Sequence, residues 1–147
     1  MNSTDETFIQ RSRAIASIVS TAHKLFRKVT QCVKNHKLTE SQYNALRILR
    51  GAERRGEQLT QANLADRLIA SRANTTWILD RLEERKLIAR KGHTDRRKNL
   101  VELTPAGQKL LAKIDPEFDA MLTQVLGPVS MGDLQTLMDT LGSIQFE

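Results

Sequence analysis

One cysteine, one tryptophan, one tyrosine and four phenylalanines are little for 147 residues, and three prolines are few. The lone Cys32 excludes an intrachain disulfide and suits a reducing compartment. With aromatics at 4%, a core has to be assembled from Leu, Ile, Val, Ala and Met. No apolar run approaches the ~20 residues needed to span a bilayer. The opening MNSTDETF lacks the basic and apolar regions of a secretory signal, so a soluble, cytoplasmic protein is expected. The chain also shows no Gly-rich phosphate loop, no nucleophile beside a recognisable base and no paired carboxylates in an apolar setting, so catalysis is not expected. His23, His36 and His93 are scattered without ligand spacing, which argues against a metal site and leaves no cofactor implied. Neither an internal repeat nor a low-complexity segment is present.

What the chain does have is positive charge, unevenly placed. The net charge is +6 and the pI about 9.8, which favours an anionic partner. Residues 1–37 hold seven basic and two acidic side chains, and residues 59–103 hold ten and six. Residues 104–147 reverse the balance with two and six. The densest run, Arg85 to Lys98, contains seven cations and one acid. A phosphate-bearing partner therefore belongs to the middle of the chain and the first helix, away from the acidic C-terminal part.

Periodicity supplies the architecture. Ile15, Ile18, Val19, Ala22, Leu25, Phe26, Val29, Cys32 and Val33 recur at three-to-four spacing, a long amphipathic helix ending near residues 35–37. Thr39 and Gln42 form a capping box, with Leu38 and Tyr43 as its staple. The helix they open is expected to stop at Gly51 and Gly56. Thr60, flanked by Leu59 and Leu64, caps a short helix, TQANLADRL. After a turn at residues 69–71, Ser71 caps another, with Thr75, Ile78, Leu79 and Leu82 on its apolar face. Two short helices about a tight turn make a helix-turn-helix. Then LIARK, the tip GHTDRRK and the returning NLVELT read as a two-stranded hairpin. Its loop is longer than most, which points to a use. Thr104-Pro105 opens a helix that keeps one apolar phase through Pro116 (a kink, not a break). Gly127-Pro128 ends it, and Ser130 caps the last helix. The fold class is mainly α with a small β-hairpin. A winged helix-turn-helix at residues 38–104 is flanked by helices at 7–37 and 105–147, all within one domain of residues 1–147. The flanking helices carry apolar faces that the central module cannot cover. Ile15, Ile18, Phe118, Met121, Leu122, Val125, Leu134, Leu137, Met138 and Leu141 are expected to close a homodimer.

The stretch from Ser71 to Thr104 points most directly to function. The first turns of a second helix in such a motif enter the major groove. Ser71, Arg72, Ala73, Asn74, Thr76 and Trp77 lie there, off the apolar stripe. Arg can bond guanine bidentately, Asn can do the same to adenine, and Ala or a Thr methyl can meet thymine. A solvated helix face is the plain alternative, although an exposed Trp argues for an interface. At the hairpin tip, Asp95 can hold Arg97 ready for a minor groove, with Arg96 and Lys98 on phosphates. Arg90 and Lys91 can add backbone contacts, as can Thr60 and Gln61 at the start of the preceding helix.

These residues resemble a known pattern. Asp95-x-Arg97-xxx-Val101-x-Leu103-Thr104, followed by Gly107, is similar to the wing signature of the MarR family of bacterial transcriptional regulators. Leu64-Ala65-xx-Leu68 and Ser71 through Asp80-Arg81-Leu82-Glu83 resemble its helix-turn-helix. Leu38-Thr39-xx-Gln42-Tyr43-xx-Leu46 resembles its second helix. The resemblance implies a triangular dimer interlocked through the first, fifth and sixth helices, and binding of pseudo-palindromic promoter DNA, usually as a repressor. It implies Arg97 in the minor groove and release by a small, often phenolic or lipophilic, effector. Trp77 stands where the family commonly has arginine, and Lys86 where it commonly has glycine. Cys32 does not match the reactive cysteine of the family's peroxide sensors. Two other readings remain open: a winged-helix module that binds protein, or an activator or anti-silencer that competes for DNA.

Overall fold

The computed structural model describes residues 3–68, 72–92 and 99–146, leaving aside the side chains of Ser3, Thr4 and Arg72. In chain order these form α1 (Ser3–Lys34), α2 (Glu40–Arg54), β1 (Leu59–Thr60), α3 (Gln61–Leu68), α4 (Arg72–Glu84), β2 (Ile88–Gly92), β3 (Asn99–Leu103), α5 (Pro105–Leu126) and α6 (Met131–Gly142). The expected order of helices and hairpin is present, with one addition. Leu59 and Thr60 pair with Val101 and Leu100, making an antiparallel sheet of order β1-β3-β2 rather than a two-stranded ribbon. Ile88 faces Leu103 and Arg90 faces Val101 across β2 and β3. None of the described helices is long and apolar enough to cross a membrane.

Helix starts follow the capping chemistry of the sequence. Gln42 N donates to Thr39 Oγ1 at 3.2 Å while Thr39 N donates to Gln42 Oε1 at 3.0 Å, a complete capping box. Thr104 caps α5 by accepting from Gly107 N, with Pro105 in the first turn, and Ser130 caps α6 by accepting from Asp133 N. Pro116 lies inside an α5 that runs unbroken past it.

The ends of α1, α2 and α4 share one device. At the end of α1, Leu38 N reaches Val33 O and Lys37 N reaches Lys34 O, with Lys37 at φ 55°. Glu57 and Gly56 close α2 in the same way, onto Ala52 O and Glu53 O, and Leu87 and Lys86 close α4 onto Leu82 O and Glu83 O. These are Schellman turns, each needing one left-handed residue. Gly56 supplies it after α2, so Gly51 is not a stop: the helix passes through it and buries Ala52. After α1 and α4, lysines take the left-handed position, with Lys86 at φ 57°.

The core gathers Leu46, Leu49, Leu64, Ile78, Leu79, Leu82, Ile88, Val101, Leu111 and Ile114 around α2, with Val33 closing it from α1. Phe118 belongs here too. It is only 8% exposed and its ring lies 5.2 Å from that of Tyr43, so the expectation that it serves a dimer face is corrected. Phe118 shares the inward face of α5 with Leu111 and Ile114 and packs against Tyr43 of α2. Met121 and Leu122 lie partly buried against the same core. Further out, the molecule is bare: α6 buries nothing, and Ile15, Ile18, Leu137, Met138 and Leu141 are all exposed. Leu134 and Val125 are half-buried.

One side-chain tie and one close backbone approach fix α5 to the rest. Arg50 of α2 grips Asp115 with two bonds of 2.7 and 2.8 Å. Gly107 sits so close to the α4–β2 turn that a Cβ there would collide with the Leu87 carbonyl oxygen and come within 2.6 Å of Leu103 Cδ2.

Lys86→Gly should raise stability by about 0.5–1 kcal/mol, because relief of a left-handed residue exceeds the added unfolded-chain entropy. Denaturant titration measures it, and a destabilised variant would contradict the backbone reading. Asp115→Asn tests the ion pair. The Arg50 guanidinium holds the Asp115 carboxyl below the usual aspartate range. A depressed folded pKa stabilises above the unfolded value, and that stabilisation is lost as pH falls through the folded one. The variant should therefore be less stable by about 0.5–1 kcal/mol at neutral pH, a modest figure because the carboxylate is partly solvated. The gap should close below about pH 4. A gap that persists unchanged in acid would argue against it.

Candidate nucleic-acid interface

α4 has two different sides. Thr75, Ile78, Leu79 and Leu82 are buried to within 1%, which seats the helix on α2 and α3. Ala73, Asn74, Thr76 and Trp77 are exposed along the other side of its first two turns. Four of the six side chains expected to meet bases thus lie together on one exposed face. Trp77 is 49% exposed, and the Arg81 guanidinium stands 5.8 Å from its ring centroid, near enough for a cation–π contact.

α3 prepares the approach. Gln61 Nε2 donates to Thr76 Oγ1 at 2.7 Å, joining the first residue of α3 to the exposed face of α4. Thr60 is occupied at the start of α3. Its hydroxyl accepts from Asn63 N at 3.1 Å and donates to Asn63 Oδ1 at 2.7 Å. Both residues were expected to face a phosphate backbone. In the structure their first duty is to cap α3 and to fix its angle to α4.

The ribbon leans on α4 through Arg90. Its Nη2 donates to Asp80 Oδ1 at 2.6 Å, Nη1 lies 3.5 Å from Glu83 Oε2, and the backbone N of Arg90 donates to Glu83 Oε1 at 3.2 Å. The side chain is 21% exposed. Arg90 is thereby neutralised by two acids of the recognition helix and acts as a brace between helix and wing. This differs from the expected free phosphate contact. The physical reason is spacing: Asp80 and Glu83 are three apart and share the face of α4 that looks toward β2. Lys91, more exposed, pairs with Glu102 across the strands at 2.5 Å, an exposed pair that an incoming phosphate can replace at little cost.

Ser71, Asp95, Arg96, Arg97 and Lys98 lie outside the described residues, as does the side chain of Arg72. The strands on either side are described to their ends: Gly92 and Asn99 are opposite one another as the last pair of the ladder. Among the described residues no group of His, Cys, Asp and Glu could hold a metal ion. Cys32 is half-buried, and burial raises its thiol pKa with a smaller push from Glu117, the opposite of an activated thiolate.

Comparisons with known proteins meet this geometry. Residues 38–99, from the approach to α2 as far as the first residue of β3, match the model of the MarR family. The HTH-type transcriptional regulator MhqR of Bacillus subtilis is 27% identical over 135 residues, covering 91% of this chain and 86% of that protein. The transcriptional regulator HosA of Escherichia coli is 28% identical over 126 residues, 79% of this chain and 90% of its own length. Among solved structures, a MarR family transcriptional regulator from Silicibacter pomeroyi superposes with a TM-score of 0.75 at 28% identity, over 85% of this chain and 82% of that one. MepR of S. aureus in complex with DNA superposes with a TM-score of 0.72 at 25% identity, over 87% and 94%. Residues 38–99 thus resemble the MarR family, and the chain as a whole is similar to transcriptional regulators, one of them solved in complex with DNA.

Proposed function

We propose that the protein is a cytoplasmic, homodimeric repressor that occludes a promoter, with residues 1–147 acting as one domain. The observation that carries this reading is the exposed face of α4 beside the braced ribbon: Ala73, Asn74, Thr76 and Trp77 lie at the surface of a helix whose opposite side is core. A helix so held has the dimensions of a major groove, and the ribbon beside it can follow the adjoining minor groove. In this reading Ser71 and Arg72 join the base-facing turns. Arg97 enters the minor groove with Asp95 behind it, and Arg96 and Lys98 bind phosphates. Lys91, Thr60 and Gln61 line the backbone path, while Arg90 holds the wing in place.

Dimerisation rests on the two surfaces the chain leaves bare. α1 exposes Ile15, Ile18, Val19 and Phe26, and α6 exposes Leu137, Met138 and Leu141. Their burial between two copies, at roughly 25 cal/mol per Å² of apolar area, would stabilise the dimer. Two recognition helices would then address half-sites about one helical turn apart.

Relief by a small molecule is the remaining part of the proposal. A hollow of about 510 Å³ between α1 and α5 is lined by Leu25 and Val125 with Lys24, Arg27 and Lys28 around them. Apolar walls with cations suit a small aromatic or lipophilic acid.

Selection of bound duplexes from a random pool tests the whole reading, and a palindromic consensus is expected. Affinity should fall steeply with salt, from counterion release; binding with a flat salt response would favour a protein-interaction module. Arg97→Ala should weaken binding to the selected site by about 1–3 kcal/mol, with the dimer intact by sedimentation. Unchanged affinity at physiological salt would remove Arg97 from the minor groove. For the effector, aromatic acids should raise the melting temperature and lower DNA affinity together; no shift at any tolerated concentration counts against a ligand of this class.

A further inference from the structure

The C-terminal end of α4 is fastened to the scaffold on two sides. Toward α5, Thr104 N donates to Leu87 O at 3.1 Å and Thr104 Oγ1 to Lys86 O at 2.7 Å. Toward α1, Arg85 reaches across nearly fifty residues of sequence. Its Nη1 donates to Lys37 O at 2.6 Å and its Nη2 to His36 O at 3.2 Å. Those two carbonyls lie in the Schellman turn that ends α1, where helix geometry leaves oxygens without an intrahelical donor. A guanidinium there also complements the negative end of the helix dipole. The acceptors are themselves held firmly. The His36 side chain, 7% exposed, lies 3.1 Å from Glu117 Oε1 on α5, and Leu38 beyond the turn is buried in the core. Elsewhere α4 packs on α2, α3 and β2, whereas α1 packs on α2 and α5. Arg85 joins the two helices directly.

We infer that Arg85 is a positioning residue for DNA recognition: it sets the angle of α4 relative to α1, and through α1 the separation of the two reading heads in a dimer. The lever is long. Thirteen residues of helix span about 20 Å at 1.5 Å per residue, so a tilt of about 10° at the Arg85 end moves the reading end by roughly 3 Å. That is close to the rise of one base pair, about 3.4 Å. A loose strap would leave each head able to bind its own half-site but would blur the distance between them. A fork with two donors in fixed geometry suits two neighbouring carbonyls; a lysine ammonium keeps the charge without that geometry. This inference rests on the proposed dimeric reading of DNA.

The experiment measures affinity of wild type, Arg85→Ala and Arg85→Lys, each as the full-length protein. The probes are the duplex selected by the wild type, a single half-site, and duplexes with one base pair added or removed between half-sites. For wild type, discrimination among spacings is expected. Both variants should remain dimeric with a melting temperature close to wild type, and should bind the half-site within about twofold of it. They should lose roughly tenfold on the selected duplex and discriminate less among spacings, because the second contact is no longer pre-organised. Variants that discriminate spacing as sharply as wild type would overturn the inference alone. So would an equal loss on half-site and full site confined to Arg85→Ala, since that marks a phosphate contact. A wild-type protein indifferent to spacing would overturn the dimeric reading and this inference with it.

Discussion

A recognition helix must be held without being covered, and the structure meets that constraint with one stripe of α4. Thr75, Ile78, Leu79 and Leu82 enter the core completely, so the helix is fixed by the least directional of forces on one side only. Burial alone would leave it free to slide or roll. Directional contacts remove those freedoms: Gln61 to Thr76 near the first turns, Arg90 to Asp80 and Glu83 along the flank, and Arg85 and Thr104 at the end. Of these contacts only the Gln61 bond meets the exposed face, at Thr76, so the helix is restrained while Ala73, Asn74 and Trp77 stay exposed.

The same division explains the distribution of charge. Within α4 and the ribbon several cations are already spoken for: Arg81 by Glu84, Arg90 by two acids, Lys91 by Glu102. The raw count in this stretch overstates what is available to phosphates. Exposed pairs such as Lys91–Glu102 exchange partners at little cost, whereas the half-buried Arg90 would leave Asp80 and Glu83 unpaired if it moved. Charge density in a sequence thus locates an interface but does not say which cations are free.

Much of this fold could be read from local chemistry. Caps at Thr39, Thr104 and Ser130 depend on residues three apart, and helix periodicity depends on residues three and four apart, so both are visible in a short window. Features that depend on distant partners were not legible. β1 is two residues long, too short to alternate, and exists because Val101 and Leu100 lie alongside. The inward turn of Phe118 follows from Tyr43, seventy-five positions earlier. Arg90 looked like a wing cation because Asp80 and Glu83 could be assigned to the helix surface just as easily as to a brace. The lysines at 37 and 86 hid two Schellman turns, since glycine is the usual mark of a left-handed residue.

Those two lysines join the local and the distant. Lys86 ends the recognition helix and Lys37 ends the long first helix, and Arg85, next to one, binds the carbonyl of the other. A left-handed residue directs its carbonyl away from the helix axis and leaves it accessible to a donor from outside. The turn that ends α1 therefore presents acceptors at a place where α4 can supply a donor. Glycine would make the same turn with less strain, but its greater freedom would hold the carbonyl less firmly. The strained residue at 37 costs some stability and, in return, fixes the direction in which the scaffold receives the recognition helix.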